Sequence, residues 1–237
     1  SNVSKNIKIV VTTYFEHSNE ATKILVNTPI WALGLDFIHG VKNLESLEFI
    51  KNSNKVLIAG VIDGRNIWKS NFEDKLNLLN RISNVVSKDN IIVGTSCSLL
   101  HVPFTLSYED NLDKEIKSWL AFANEKLKEL NLVSKQFFGS KLSLEDIANI
   151  EKNRQDNIQR KVSTKIHNQK IQEEIKNLKK FEREDKFEDR IKAQREFFKY
   201  DALTTTTIGS FPQTPEIREN RKNYKANLIS KEEYETQ

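Results

Sequence analysis

The chain has 237 residues, 38% of them hydrophobic and 30% charged, with a formal net charge of +4. That suits a soluble domain of ordinary size with a large solvated surface, and no apolar run approaches the roughly 18 residues of a membrane-spanning helix. The single cysteine, Cys97, excludes an internal disulfide and fits a reducing compartment, and one Cys with four scattered His makes no zinc-ligand spacing.

Four apolar runs are predicted strands: Ile7–Phe15, Ala32–Ile38, Lys55–Asp63 and Ile91–Cys97. Each is nearly continuous rather than alternating, the mark of a strand buried on both faces, as in a parallel sheet. Helical patterns fall between them. One is capped by Asn19 and runs to about Asn27. A second is capped by Ser70 and runs from Phe72 to about Val86, with Leu76, Leu78, Leu79 and Ile82 as its apolar stripe. A third runs from Leu112 to about Leu132 and carries Ile116, Leu120, Phe122, Leu127 and Leu130. Alternating strands and helices predict right-handed βαβ units with the strands adjacent in chain order.

From about Leu142 to Tyr200 the chain is rich in Lys, Glu, Gln and Asn and has no Gly or Pro. Ile171, Ile175, Leu178, Phe181, Phe187 and Ile191 follow helical spacing, so this stretch predicts helices with a thin apolar face. Residues 151–200 hold 15 Lys/Arg against 10 Asp/Glu. The signs interleave, as in Phe181-Glu182-Arg183-Glu184-Asp185-Lys186, which reads as a solvated face; a nucleic-acid footprint is more one-sided. Leu203–Thr207 is then a β-branched strand prediction, Gly209-Ser210 break it, and Glu216–Arg221 begin a helical pattern.

Polar groups gather just after each predicted strand, where an α/β barrel places its site: Asp36 and His39, then Asp63, Arg65 and Asn66, then Ser96, Cys97 and His101. Each has a plainer reading. Asp63 and Arg65 can equally serve loop packing. Cys97 and His101, four apart, have the composition of a nucleophile pair but no third orienting residue, and a buried inert Cys is the commoner case. His17 and His167 lie in polar surroundings, where a surface His is the default. The bared N–H groups around Gly209 and Ser210 suit a carboxylate or phosphate, although Gly-Ser turns are common.

Four strings occur together in this order: Gly60-Val61-Ile62-Asp63-Gly64-Arg65-Asn66-Ile67-Trp68, Ser96-Cys97-Ser98-Leu99-Leu100-His101-Val102-Pro103, Lys117-Ser118-Trp119-Leu120-Ala121-Phe122-Ala123 and Thr205-Thr206-Thr207-Ile208-Gly209-Ser210-Phe211-Pro212-Gln213-Thr214. In order and spacing the chain resembles the cobalamin-independent methionine synthases, most weakly over residues 140–200. The resemblance implies a zinc-dependent, cytoplasmic methyltransferase that moves a methyl group from 5-methyltetrahydrofolate polyglutamate to homocysteine. It implies an α/β fold: a partial (βα)8 TIM barrel with parallel strands, a helical connector and the first strand of a second barrel. The implied division is 1–140 for the C-terminal half of the N-terminal barrel, 141–202 for the helical segment and connector, and 203–237 for the start of the catalytic barrel.

That family's zinc ligands lie in parts of the catalytic barrel beyond this sequence. The resemblance thus implies zinc in the full-length parent, none in this chain, and no catalytic residue here. The lack of Met, even at position 1, fits a piece of a longer protein, and such a piece is expected to be inactive by itself. Ile208, Gly209 and Ser210 match the strand end that holds the amino-acid part of homocysteine or methionine. Asp63 to Arg65 and Cys97 look similar to late-strand motifs of the catalytic barrel, which would make this half-barrel a metal-free copy with Cys97 a relic ligand; an Arg at position 65 stays protonated and cannot bind zinc.

A non-catalytic interaction module is the alternative of a different class. Two open sheet edges would let a half-barrel form a homodimer or bind a partner. A nucleic-acid partner is disfavoured by the interleaved charges, and no membrane partner is expected.

Overall fold

In the computed structural model, residues 7–236 are described. The chain divides into two compact units, one ending at Glu174 and one beginning at Ile175. The first is α/β. Its strands are β1 (Val10–Thr12), β2 (Ala32–Asp36), β3 (Val56–Ile62) and β4 (Ile91–Thr95), all parallel and in the order β1-β2-β3-β4. The order follows the chain, as the alternating pattern predicts.

Burial differs among the strands for a reason visible in the pairing. Every residue of β2 is buried, and β3 is buried over most of its length, because each has a strand on both sides. Strand β1 pairs only with β2, is three residues long and leaves Val10 exposed, so its apolar run does not make a doubly buried strand. Leu33, Leu57, Leu79, Ile82 and Val133 form the centre of the core without measurable exposure.

Helices α1 (Asn19–Leu25), α2 (Leu47–Lys51), α3 (Phe72–Ser83), α4 (Lys114–Ser118), α5 (Ala123–Phe138) and α6 (Leu144–Val162) surround the strands in sequence. Asn71, not Ser70, caps α3: its side chain accepts from the Glu73 N–H, while the buried Ser70 N–H donates to Glu129 at 3.0 Å. Asn19 lies inside α1, whose N-cap position is Ser18.

The single helix expected from Leu112 to Leu132 is two helices. Trp119 ends the first of them with its backbone still in the helical region, and Leu120–Phe122 link it to the second. The Lys69 N–H donates to the Trp119 carbonyl at 2.8 Å, and the Ala121 N–H donates to the Ile67 carbonyl at 2.8 Å. These bonds, and the burial of Trp119 and Leu120, outweigh helical propensity over Leu120–Phe122. Phe122 then takes the N-cap position of α5, its N–H donating to Glu125, and Gly139 ends the helix in a left-handed conformation (φ 68°).

Helix α7 (Gln169–Lys176) straddles the division between the units. Beyond it come α8 (Phe187–Phe198), α9 (Pro215–Lys225) and α10 (Lys231–Thr236). None of the four has a buried residue, and Leu178 and Phe181 lie outside any helix. The predicted strand at Leu203–Thr207 is not formed: these residues are irregular and exposed. A Thr run becomes a strand only beside another strand that completes its ladder, and no strand lies beside it among the described residues. The helix after it does form, with Pro215 in its first turn and Thr214 accepting from the Ile217 N–H at 3.4 Å.

Candidate functional site

All four strands run the same way, so the loops after them share one end of the sheet. Asp36 organises this end. Its carboxylate is fully buried and accepts from the N–H groups of Phe15 (3.1 Å), Ile38 (2.8 Å) and His39 (2.9 Å). Asn43 donates to the Asp36 carbonyl at 2.8 Å and accepts from the Ser18 N–H at 2.7 Å, tying the loops after β1 and β2 together.

Asp63, at the end of β3, accepts from the Arg65 N–H at 2.8 Å and from the Asn66 side chain, and lies 3.3 Å from His39 Nε2. The Gly64 N–H donates to Ser96 Oγ at 3.1 Å. A Cβ at position 64 would stand 2.8 Å from the Cys97 carbonyl oxygen and 2.9 Å from its sulfur. Glycine is therefore what lets the loop after β3 lie on the end of β4. The Arg65 guanidinium sits 4.5 Å from the Phe15 ring centroid, and Phe15 meets His101 edge-to-face at 5.1 Å. Phe15 and Glu16 have φ of 67° and 139°, sparsely populated values for side-chain-bearing residues that concentrate at working sites.

The end of the sheet thus gathers Asp63, Arg65, Asn66, Cys97 and His101, the strand-end residues expected from the sequence. Cys97 and His101 do not form a hydrogen-bonded pair among the described residues. The Cys97 thiol is buried and donates to the Ser98 carbonyl at 3.6 Å, while His101 packs on Phe15. Burial, ahead of every other influence, pushes the Cys97 pKa up, so the thiol stays protonated near neutral pH. Among the described residues no three His, Cys, Asp or Glu side chains converge as metal ligands, so this end does not fit a zinc ion. What it offers is the Arg65 cation over the Phe15 ring, with the His101 imidazole packed on the same ring. No helix of the described residues is long and apolar enough to cross a membrane.

Phe15 is the residue that the sequence reading misses, because it falls within the predicted first strand. Its signal was the Tyr14-Phe15 pair just past Thr12-Thr13, where an apolar run ends.

Ile208, Gly209 and Ser210 belong to the unit beginning at Ile175. The turn is fully exposed. Gly209 has φ 88°, and Thr207 Oγ1 donates to its carbonyl at 2.8 Å. The N–H groups of Gly209 and Ser210 donate to no backbone acceptor among the described residues.

Two family models match the chain. Residues 1–87 match the cobalamin-independent synthase N-terminal domain, and residues 203–237 match the cobalamin-independent synthase catalytic domain. The second match takes in the Ile208–Ser210 turn. The whole chain also aligns with a protein of Desulforamulus reducens at 48% identity over 236 residues, covering 31% of that protein. A Kali turgidum protein is 41% identical over 96% of the chain, and a Listeria monocytogenes protein 40% identical over 97%. The chain belongs to the cobalamin-independent methionine synthase family. All three relatives are named 5-methyltetrahydropteroyltriglutamate–homocysteine methyltransferase. The chain spans about 30% of the length of these family members.

Proposed function

We propose that this chain is the middle portion of a methyltransferase that makes methionine, moving a methyl group from 5-methyltetrahydropteroyltriglutamate to homocysteine. The observation that carries the reading is the pair of family matches at its two ends, to an N-terminal and a catalytic domain, bridged by relatives aligned over nearly its full length. In this reading residues 1–140 are the C-terminal half of a (βα)8 barrel, 141–202 are the connector, and 203–237 open the catalytic barrel. Four parallel strands in chain order support the first assignment.

The free N–H groups at Gly209 and Ser210 would receive the α-carboxylate of homocysteine, and Ile208 would flank it. Zinc, where the parent holds it, would bind the homocysteine sulfur as thiolate. Its ligands are assigned outside this chain, because no set among the described residues fits the ion. The Asp63–Arg65–Asn66 end of the first unit would then support the fold and neighbouring chain segments and make no contact with reacting atoms.

The test is an assay of a polypeptide that carries this sequence and spans the relatives' full length. Methionine should form from homocysteine and the methylfolate without added cobalamin. The 237-residue chain alone should give none. A full-length, zinc-loaded protein that makes no methionine overturns the proposal.

A further inference from the structure

Beside the helix α3 N-terminus, and walled by the C-terminal half of α6, lies a cavity of about 410 Å³. That volume is in the range of small-ligand pockets. The proposed methyl transfer does not use it.

Its floor is the Trp68–Asn71 link between β3 and α3, and that link is held rigidly. The Ser70 carbonyl accepts from Asn153 (2.8 Å) and Asn157 (3.2 Å), and the Trp68 carbonyl accepts from the buried Lys126 ammonium at 3.1 Å. The charges on the walls are unevenly matched. Lys69 is paired with Asp156, and Asp63 is occupied by Asn66, His39 and the Arg65 N–H. Lys75, Arg160 and Lys161 have no carboxylate partner among the described residues, against Asp74 as the one unpaired carboxylate on the walls.

The unmatched cations are not simply solvated. The Arg160 guanidinium lies 4.0 Å from the Trp68 ring centroid, and both residues line the cavity. Burial lowers the pKa of both Lys75 and Arg160; at Lys75 the nearby charges of Asp74, Asp63 and Glu129 oppose it without forming an ion pair. The Phe72 and Glu73 N–H groups at the start of α3 are taken by Asn153 and Asn71, so what the cavity offers to negative charge is the side chains of Lys75, Arg160 and Lys161.

We propose that this cavity binds a small multivalent oxyanion, a phosphate or polycarboxylate group, held by Lys75, Arg160 and Lys161. The fork of Arg160 gives two parallel hydrogen bonds to such a group, and the lysines add charge. The proposal is independent of the homocysteine site and of the family's reaction.

The experiment titrates the 237-residue chain with inorganic phosphate, and separately with citrate, at constant ionic strength. Intrinsic fluorescence is the readout, with a Trp68→Phe variant to assign the signal. Saturable change with at least one of the two anions is expected, and which of them binds more tightly identifies the group. Arg160→Gln and Lys75→Gln should each weaken binding at least tenfold. Arg160→Lys should fall between, and Lys170→Gln should have no effect. Far-UV circular dichroism separates lost binding from lost folding, and the folded Arg160→Lys protein keeps the test decisive if the glutamine variants unfold. No saturation with either anion, equal affinity in folded wild-type and Arg160→Lys chains, or the same signal from chloride at matched ionic strength overturns the proposal.

Discussion

The unit that ends at Glu174 and the unit that begins at Ile175 both carry large apolar side chains, yet treat them oppositely. In the first, Leu33, Leu57, Leu79 and Ile82 are sealed from solvent. In the second, Phe181, Phe197, Leu203, Ile208 and Phe211 are exposed. The difference is not hydrophobicity. The first unit has a sheet, and a sheet gives each helix a broad apolar surface to cover. Helices α8–α10 have no such surface among the described residues, so their thin apolar faces stay open. Strand β3 and the Thr run make the same point in the backbone: both are β-branched or apolar, but only β3 has a neighbour on each side.

Truncation in the two units gives the largest contrast. Leu33→Ala leaves a cavity between β2 and its covering helices and should destabilise the first unit by about 2–5 kcal/mol. Ile208→Ala removes a side chain that touches little and should change stability by no more than about 0.5 kcal/mol. Urea unfolding followed by tryptophan fluorescence measures both. Comparable costs at the two positions would break the comparison.

Next in size is a pH effect confined to the first unit. Glu129 is buried beneath the Trp68–Asn71 link; one carboxylate oxygen accepts from Ser70 and the other has no partner. Burial, opposed by the Ser70 hydrogen bond and the Lys126 charge, pushes its pKa from 4.5 up to about 7. Between these values the folded chain holds a proton that the unfolded chain has released. Stability therefore falls as pH rises from 4.5 to about 7, by on the order of 3 kcal/mol when fully ionised. Glu129→Gln should flatten that slope in urea midpoints measured across the window. An unchanged slope would show that Glu129 is not the group responsible.

The four parallel strands and their order were legible because each is a continuous apolar run and the polar strand ends follow at once. The gathering of Asp63, Arg65, Asn66, Cys97 and His101 was legible for the same reason: parallel strands bring their C-terminal ends to one edge. Three features were not. Trp119–Phe122 have apolar spacing that suits a helical stripe as well as a buried strap, and only the hydrogen bonds to Ile67 and Lys69 decide between them. Arg160 on Trp68 joins residues far apart in sequence, which no local pattern reports. The Thr run has strand propensity, but propensity needs a partner strand to act.

A smaller effect sharpens the account of the strand ends. Gly64→Ala places a Cβ within 3 Å of the Cys97 carbonyl oxygen and sulfur, so one of the two loops must move. The cost should be about 1–3 kcal/mol. Because Cys97 is shielded by this contact, thiol labelling under native conditions should be slow in the wild-type chain and faster in the variant. Fast labelling of the wild-type protein would mean that the loop after β3 does not seal the end of β4.

Gly209→Val should have a small effect on folding and the most specific effect on function. At φ 88° a β-branched residue is disfavoured, but a Cβ at this position meets nothing within 4 Å. The turn can relax into solvent, so the change in the midpoint of unfolding should correspond to about 1 kcal/mol or less. If Gly209 and Ser210 present their N–H groups to the homocysteine carboxylate, the variant loses that geometry. Each hydrogen bond to a charged group contributes about 1.5–3 kcal/mol, or roughly a tenfold to hundredfold change in affinity. In a polypeptide spanning the relatives' full length, the homocysteine KM should rise by a factor in that range. Zinc content and the KM for methylfolate should stay unchanged. Unaltered homocysteine kinetics would return the turn to a purely structural role and leave the second unit with no ligand contact assigned to it.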